Sequence, residues 1–114
     1  MRVRLLLAVA TLLATLGGAT VWAQPVHVAV AANFAVPMKR LAADFEQGSG
    51  HKLLLSFGAT GKFVAQLRNG APFDVLLAAD TASVQQLAQE RLVVADTPFS
   101  YATGRLMLWS AQGA

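Results

Sequence analysis

Two short stretches carry residues whose types and spacing could bind an anion. Residues 56–62, SFGATGK, form a glycine-rich turn that follows an apolar run and ends in Gly-Lys. Asn33 stands in the same relation to the β-branched run at 26–30. A turn that opens a helix presents free backbone N–H groups and partial positive charge, which attract oxyanions. Both stretches therefore predict a place where an anion could bind.

The SFGATGK stretch does not fit a nucleotide-binding P-loop. That motif needs a glycine five residues before the glycine of Gly-Lys, and a serine or threonine directly after the lysine. Ser56 and Phe63 occupy those two positions. The loop therefore lacks the hydroxyl that holds magnesium, although the N-terminus of a helix can still hold an oxyanion.

Predicted strands and helices that alternate along the chain are expected to position these residues. Apolar and β-branched runs predict buried strands at 26–30, 53–55 and 74–78, and each is followed by apolar residues at helical spacing. Strands that alternate with helices predict an α/β fold with a parallel sheet and flanking helices. Residues 99–101 and 106–109 are predicted to be further extended segments.

Polar residues at the ends of the predicted strands are expected to cap the helices that follow. Asn33 would cap the first helix, Thr60 the second, and either Asp80 or Thr81 the third. Glycines are expected to end the first two helices, at Gly48 and Gly50 and after Asn69.

Two of these junctions are expected to face one crevice, because parallel strands end at a common sheet edge where such folds bind ligands. Asn33 and Thr60 would meet there as neutral hydrogen-bond donors to one small anion. With Thr60 as the cap, the N–H groups of Gly61 and Lys62 would stay free. Ordinary helix capping is the alternative explanation for Asn33 and Thr60, and Lys62 is expected to be a solvated residue at the start of the helix.

The first 23 residues have the pattern of a secretory signal. Arg2 and Arg4 precede an apolar stretch at 5–16, and small residues precede a cleavage site after about Ala23. The apolar stretch is shorter than the roughly 20 residues that span a bilayer. The pattern therefore predicts export to the periplasm with cleavage.

Removal of residues 1–23 leaves 91 residues and lowers the formal charge from +3 to +1, with seven basic and six acidic residues. No basic stripe then remains to indicate nucleic acid as a partner. The chain has no cysteine, which excludes disulfides, a thiolate metal site and a cysteine nucleophile.

The remaining titratable residues predict neither a cation site nor an enzyme. His27 and His51 lack the spacing of metal ligands. Asp74 and Asp80 lie at strand ends, where turn and cap duty explains them better than acid–base catalysis. We therefore assign no catalytic residue.

An ordered series of short motifs resembles the periplasmic molybdate-binding proteins of ABC transporters. The motifs are AANF, FE, GHK, SFGATGK, GAPFD and AAD, beginning at residues 31, 45, 50, 56, 70 and 78. The resemblance extends through nearly all of residues 26–110. Each motif alone is weak, and their order and spacing make the series specific.

The resemblance implies the type II fold of periplasmic solute-binding proteins, in which two α/β lobes hold molybdate or tungstate through neutral hydrogen bonds. Residues 24–104 would form most of the first lobe, and 105–114 would begin the crossover to a second lobe. The chain would then be the N-terminal part of a longer family member. Molybdate or tungstate would be cargo and not a cofactor, delivered to the membrane permease and ATPase subunits of the transporter.

The resemblance also implies which residues meet the oxyanion. Asn33 and Thr60 match the family's side-chain positions, and Ala32, Ala59 and Gly61 would contribute backbone contacts. Two alternatives stay open, namely a protein that binds sulfate or another tetrahedral oxyanion, and a small secreted enzyme acting on a phosphoester. Residues 24–114 on their own are expected to bind weakly and to associate through the apolar run around Trp109.

Overall fold

The computed structural model describes residues 23–112. The predicted signal therefore lies outside the described residues, apart from Ala23, and it stays a prediction. Between residues 23 and 112 no helix is both long and apolar enough to cross a bilayer.

Strands and helices alternate along the described chain. The elements are β1 (Val26–Ala31), a 3-10 helix (Ala32–Phe34), α1 (Ala35–Ser49), β2 (Leu53–Gly58), α2 (Thr60–Arg68), β3 (Val75–Leu77) and α3 (Thr81–Gln89). This order confirms the predicted alternation. Gly50 follows α1 with a φ of 72°, a left-handed conformation that glycine adopts without steric cost and that commonly ends helices.

The three strands form one parallel sheet in the order β2-β1-β3. Ala31 at the end of β1 lies opposite Gly58 at the end of β2. Val30 lies opposite Leu77, the last residue of β3. All three strands therefore end at one edge of the sheet, and the predicted parallel sheet is confirmed.

The central strand is the most buried element. Val28 and Val30 pack with Met38 and Ala42 of α1, and all four are buried. Successive strand residues point to opposite faces, so the fully buried Ala29 faces the other side of the sheet. Burial of a large aliphatic side chain contributes about 1.5–3 kcal/mol to the stability of the fold. These contacts hold in place the sheet edge at which the three strands end.

Two carboxylates hold the strands at their beginnings. Glu46 accepts a hydrogen bond from the backbone N–H of Leu53 at 2.8 Å and pairs with Lys52 at 2.9 Å. Asp74 accepts the backbone N–H of His27 at 2.8 Å and donates its own N–H to the His27 carbonyl at 2.9 Å. Asp74 is thus a structural residue in the turn before β3, as its position predicted.

The prediction of further strands at 99–101 and 106–109 is wrong, because both segments are irregular. An apolar run forms a strand only where another strand pairs with it, and within residues 23–112 these two segments have no such partner. Leu106 and Leu108 are fully exposed. The apolar residues of these two segments therefore do not indicate a strand.

Candidate functional site

A shallow, open crevice of about 460 Å³ lies at the edge where the three strands end. Its lining comes from three strand-to-helix junctions: Ala31, Ala32 and Asn33 from the first, Gly58, Ala59 and Thr60 from the second, and Ala79 and Asp80 from the third. The structure therefore brings together Asn33 and Thr60, as well as Ala32 and Ala59. Gly61 and Lys62 do not line the crevice.

The first junction differs from the expectation that Asn33 caps a helix. A 3-10 turn separates β1 from α1, and the N–H of Ala35 donates to the Ala32 carbonyl within it. Phe34 then occupies the cap position of α1, and the predicted cap is wrong. Asn33 lies inside the turn and is exposed at the crevice, so helix capping does not explain why an amide side chain stands at this position.

The second junction holds Thr60 by a long-range hydrogen bond. Thr60 is the first residue of α2, and Ala59 stands in the cap position, so the prediction of a Thr60 cap is also wrong. The Thr60 Oγ1 instead accepts the backbone N–H of Ala79 at 3.0 Å, and the residue is 8% exposed. A hydroxyl that accepts one hydrogen bond still carries a proton to donate.

The prediction of free N–H groups at the second junction is confirmed for Gly61 and wrong for Lys62. The N–H of Lys62 donates to the Ala59 carbonyl at 3.0 Å, so the expectation that it stays free is wrong. A tight first turn of the helix takes up this donor. Within residues 23–112 the N–H groups of Thr60 and Gly61 have no backbone acceptor. Lys62 itself is exposed.

The third junction was not predicted to belong to the site. Asp80 caps α3, as expected, because its two carboxylate oxygens accept the Ser83 N–H at 2.7 Å and the Ser83 hydroxyl at 3.1 Å. Both oxygens are thus engaged by the helix that Asp80 opens. A signal for this junction exists in the sequence: residues 31–33, 58–60 and 78–80 each run small, small, polar.

Tyr101 lies beside the site, and sequence reasoning missed it as well. Its hydroxyl donates to the Ala78 carbonyl at 2.8 Å, and its ring meets the edge of Phe34 at 4.9 Å between centroids. Burial raises the pKa of the Tyr101 hydroxyl, and a phenol is protonated at neutral pH even at its ordinary pKa of about 10. No local pattern marks this residue, because its partners lie far away along the chain.

The electrostatics of the crevice come from helix ends and not from cations. The helices α2 and α3 begin at its lining, and helix N-termini carry partial positive charge. Asp80 is the one charged residue among the lining residues. Across residues 23–112 no three His, Asp or Glu side chains come together to hold a metal ion. This arrangement can hold a small anion through neutral donors.

Two curated relatives share most of this chain. The molybdate-binding protein ModA of Azotobacter vinelandii is 53% identical over 90 residues, which is 79% of this chain and 36% of that protein. The molybdate-binding protein ModA of Rhodobacter capsulatus is 43% identical over 89 residues, covering 78% of this chain and 35% of that protein. The chain thus spans about a third of the length of these relatives.

A solved structure and a family match agree with them. The periplasmic molybdate-binding protein of Azotobacter vinelandii superposes with a TM-score of 0.65 at 33% identity, over 67% of this chain and 33% of that one. This similarity confirms the solute-binding-protein fold class that the motif series implied. Residues 26–114 match the family described as bacterial extracellular solute-binding protein. The chain belongs to this family of bacterial extracellular solute-binding proteins.

Proposed function

We propose that the protein containing this chain captures molybdate or tungstate in the periplasm and delivers it to an ABC transporter for uptake. The observation that carries the proposal is the convergence of the three junctions on one crevice whose donors are neutral. The anion is cargo in this proposal, and no cofactor takes part.

The donors in the crevice suit an oxyanion. The Thr60 hydroxyl has its acceptor side occupied by Ala79 and keeps its proton for a ligand. The Asn33 amide adds two N–H donors, the Thr60 N–H adds a backbone donor at the lining, and the Gly61 N–H would add another just beside it. Hydrogen bonds to a charged partner are worth about 1.5–3 kcal/mol each. Ala32 and Ala59 would contribute backbone contacts, as the resemblance implied.

The names of the relatives support the identity of the cargo. Both curated relatives are molybdate-binding proteins, and relatives named as binding proteins make an enzyme the weaker alternative. The family is extracellular, in keeping with export by a signal cleaved after about Ala23. Delivery requires a membrane permease and an ATPase subunit, which we propose as the protein's partners.

The phosphoester-acting enzyme has less support from the site. Such an enzyme would need a carboxylate or histidine free to move a proton. Both oxygens of Asp80 accept hydrogen bonds from Ser83, and Asp74 is bonded to the backbone of β1. The Asp80 carboxylate at the lining is thus used to cap α3, and Asp74 lies at the opposite end of β3 from the crevice.

Calorimetric titration of the full-length mature protein with molybdate, tungstate, sulfate and phosphate tests the proposal. We expect tight, saturable binding of molybdate and tungstate and much weaker binding of the other two. A preference for sulfate would support the other oxyanion-binding alternative. Turnover of a phosphoester without tight anion binding would support the enzyme.

A pair of charge variants tests whether the crevice is the site. Asn33→Asp replaces the amide donors by an acceptor-only carboxylate, the second in a lining that already holds Asp80, so it should strongly weaken molybdate binding. Gln47→Glu is the matched control, because it makes the same change at an exposed position of α1 and should leave the affinity unchanged. Equal affinity of both variants would remove Asn33 and the crevice from the proposal.

A further inference from the structure

Tyr101 lies outside the three strand–helix units, yet its side chain contacts residues that adjoin two of the three junctions. Its ring packs against Phe34, the residue after Asn33. Its hydroxyl donates to the carbonyl of Ala78 at 2.8 Å, in a partly buried contact. Tyr101 therefore connects an irregular segment of the chain to residues that flank the crevice.

The hydrogen bonds at the third junction meet on a single peptide group. The carbonyl of Ala78 and the N–H of Ala79 belong to the same peptide bond, which is planar. Tyr101 binds the oxygen of this group, and the Thr60 Oγ1 accepts its N–H at 3.0 Å. The peptide is thus fixed from both sides, and its plane determines where the N–H points.

The direction of donation is the same at every step of this chain of hydrogen bonds. Tyr101 donates to Ala78, the peptide donates through Ala79 to Thr60, and the Thr60 hydroxyl is left to donate outward. Successive hydrogen bonds of one direction polarise each other and strengthen the last donor. The last donor here lines the crevice.

We infer that Tyr101 is a positioning residue, which through the Ala78–Ala79 peptide holds the Thr60 hydroxyl as a hydrogen-bond donor to the anion. This inference rests on the proposed function for the identity of the anion. The Tyr101 hydroxyl is a donor throughout the neutral range, because a phenol has an ordinary pKa of about 10. Tyr101 itself does not contact the ligand in this arrangement.

Tyr101→Phe tests the inference in the full-length mature protein, because it keeps the ring against Phe34 and removes only the hydroxyl. We expect molybdate affinity to fall about threefold to tenfold, the range for loss of one neutral hydrogen bond. Phe99→Leu is the control in the same segment. Phe99 is 81% exposed, and its replacement should leave the affinity unchanged.

A double-mutant cycle separates positioning from a general structural effect. If Tyr101 acts through Thr60, then Tyr101→Phe should have no further effect on affinity in the Thr60→Ala background. An equal loss of affinity in both backgrounds would overturn the inference. A loss of stability in urea with unchanged affinity would overturn it as well.

Hydrogen exchange of the Ala79 amide gives a readout that needs no ligand. We expect the exchange of this proton to be slow in the parent protein and faster in both Tyr101→Phe and Thr60→Ala. Unchanged exchange in Tyr101→Phe would show that the hydroxyl does not hold the peptide, against the inference. If the parent protein binds none of the four oxyanions, the proposed function is wrong, and this exchange measurement still decides whether the connection from Tyr101 to Thr60 exists.

Discussion

At the scale of single residues, Thr60 is the most informative side chain of the crevice. Among residues 23–112 it is the one buried polar residue, and buried polar groups need hydrogen-bond partners. Its oxygen has found one in the Ala79 N–H. The same atom is therefore a support for the third junction and a candidate ligand for the anion.

Replacement of Thr60 should affect both roles, and a separate measurement follows each of them. We expect Thr60→Ala to weaken molybdate binding about tenfold or more, because a hydrogen bond to a charged partner is worth about 1.5–3 kcal/mol. Thr60→Ser keeps the oxygen and should bind nearly normally. Calorimetry gives the affinities, and urea unfolding of each variant gives the structural cost of leaving the Ala79 N–H without an acceptor.

Lys62→Gln is the charge control for that experiment. Lys62 is exposed and lies outside the crevice lining, so its attraction for a dianion is screened by salt. The loss of affinity should be smaller than in Thr60→Ala. If Lys62→Gln lost more affinity than Thr60→Ala, the crevice would depend on net charge, contrary to our assignment of neutral donors.

At the scale of elements, the end of β2 and the start of α2 approach each other closely. A Cβ atom added to Gly58 would lie 3.3 Å from the Phe63 ring. That ring is buried and meets Phe73 edge to face at 5.4 Å. The absence of a side chain at Gly58 therefore lets the first turn of α2 lie against the strand whose end lines the crevice.

Gly58→Ala should disturb both stability and binding. The Phe63 ring has to move by a few tenths of an ångström to admit the methyl group, and overpacking of this kind costs about 1–3 kcal/mol. We expect a lower urea midpoint together with weaker molybdate binding. Gly61→Ala is the control for stability, since nothing lies within 4 Å of its added Cβ. A Gly58→Ala variant as stable as the parent would show that the ring adjusts freely.

The small-small-polar triplets explain how these elements build one crevice. In each triplet the first residue ends or follows a strand, and the last stands in the lining. Small residues keep the sheet edge clear, so that the backbone at the start of each helix stays accessible. The pattern therefore repeats because each junction has to keep the sheet edge clear, and not because the three polar residues share a chemical role.

Much of the fold follows from local sequence signals, whereas the contacts of the site do not. Apolar runs and helical spacing predicted β1, β2 and β3 and the helices between them, because these signals act over a few residues. The bond from Ala79 to Thr60 spans 19 residues and that from Tyr101 to Ala78 spans 23. Such contacts depend on how the elements pack, which no local pattern records.

At the first two junctions, the helix caps also could not be predicted from the local sequence. A polar residue after a strand predicts a capped helix, and at Asp80 this rule held. At Asn33 a 3-10 turn intervenes, and at Thr60 the hydroxyl is taken by the neighbouring junction. The two polar residues for which the capping rule failed are the two assigned to the anion.

At the scale of the whole molecule, two ion pairs at the surface join separate elements. Glu46 links the end of α1 to the start of β2 through Leu53 and Lys52. Glu90 accepts two hydrogen bonds from Arg68, at 2.8 and 2.6 Å, and so links α3 to α2. The hydrogen bond from the Leu53 N–H, with the pairing to Lys52, lowers the pKa of Glu46, and the Arg68 guanidinium lowers the pKa of Glu90.

These two glutamates should make the protein less stable in acid. A carboxyl whose pKa is lower in the folded protein than in the unfolded chain stabilises the folded protein at pH values above the ordinary pKa of 4.5. This stabilisation is lost as the pH falls through the lowered pKa. The double variant Glu46→Gln with Glu90→Gln should be less stable than the parent at about pH 7 and should differ less from it at about pH 3. Urea unfolding across this range measures the difference.

Asp44→Asn is the control for the acid series, because Asp44 is an exposed acid on α1 and makes neither contact. Its curve of stability against pH should run close to that of the parent. If the free energy of unfolding of the double variant differed from that of the parent by the same amount at every pH, the two glutamates would stabilise the protein through packing and not through their charge.

The central place of β1 has a consequence for the order of folding. The sheet contains no hairpin, since each partner of β1 arrives only after the chain has passed through a helix. The entropy of closing these loops is lost before the strand pairs form, and pairings of this kind are slow compared with helix formation. The three junctions become aligned only when both partners have docked on β1. The ability to hold an anion should therefore appear in the last phase of refolding, and the rate at which binding returns should report completion of the sheet.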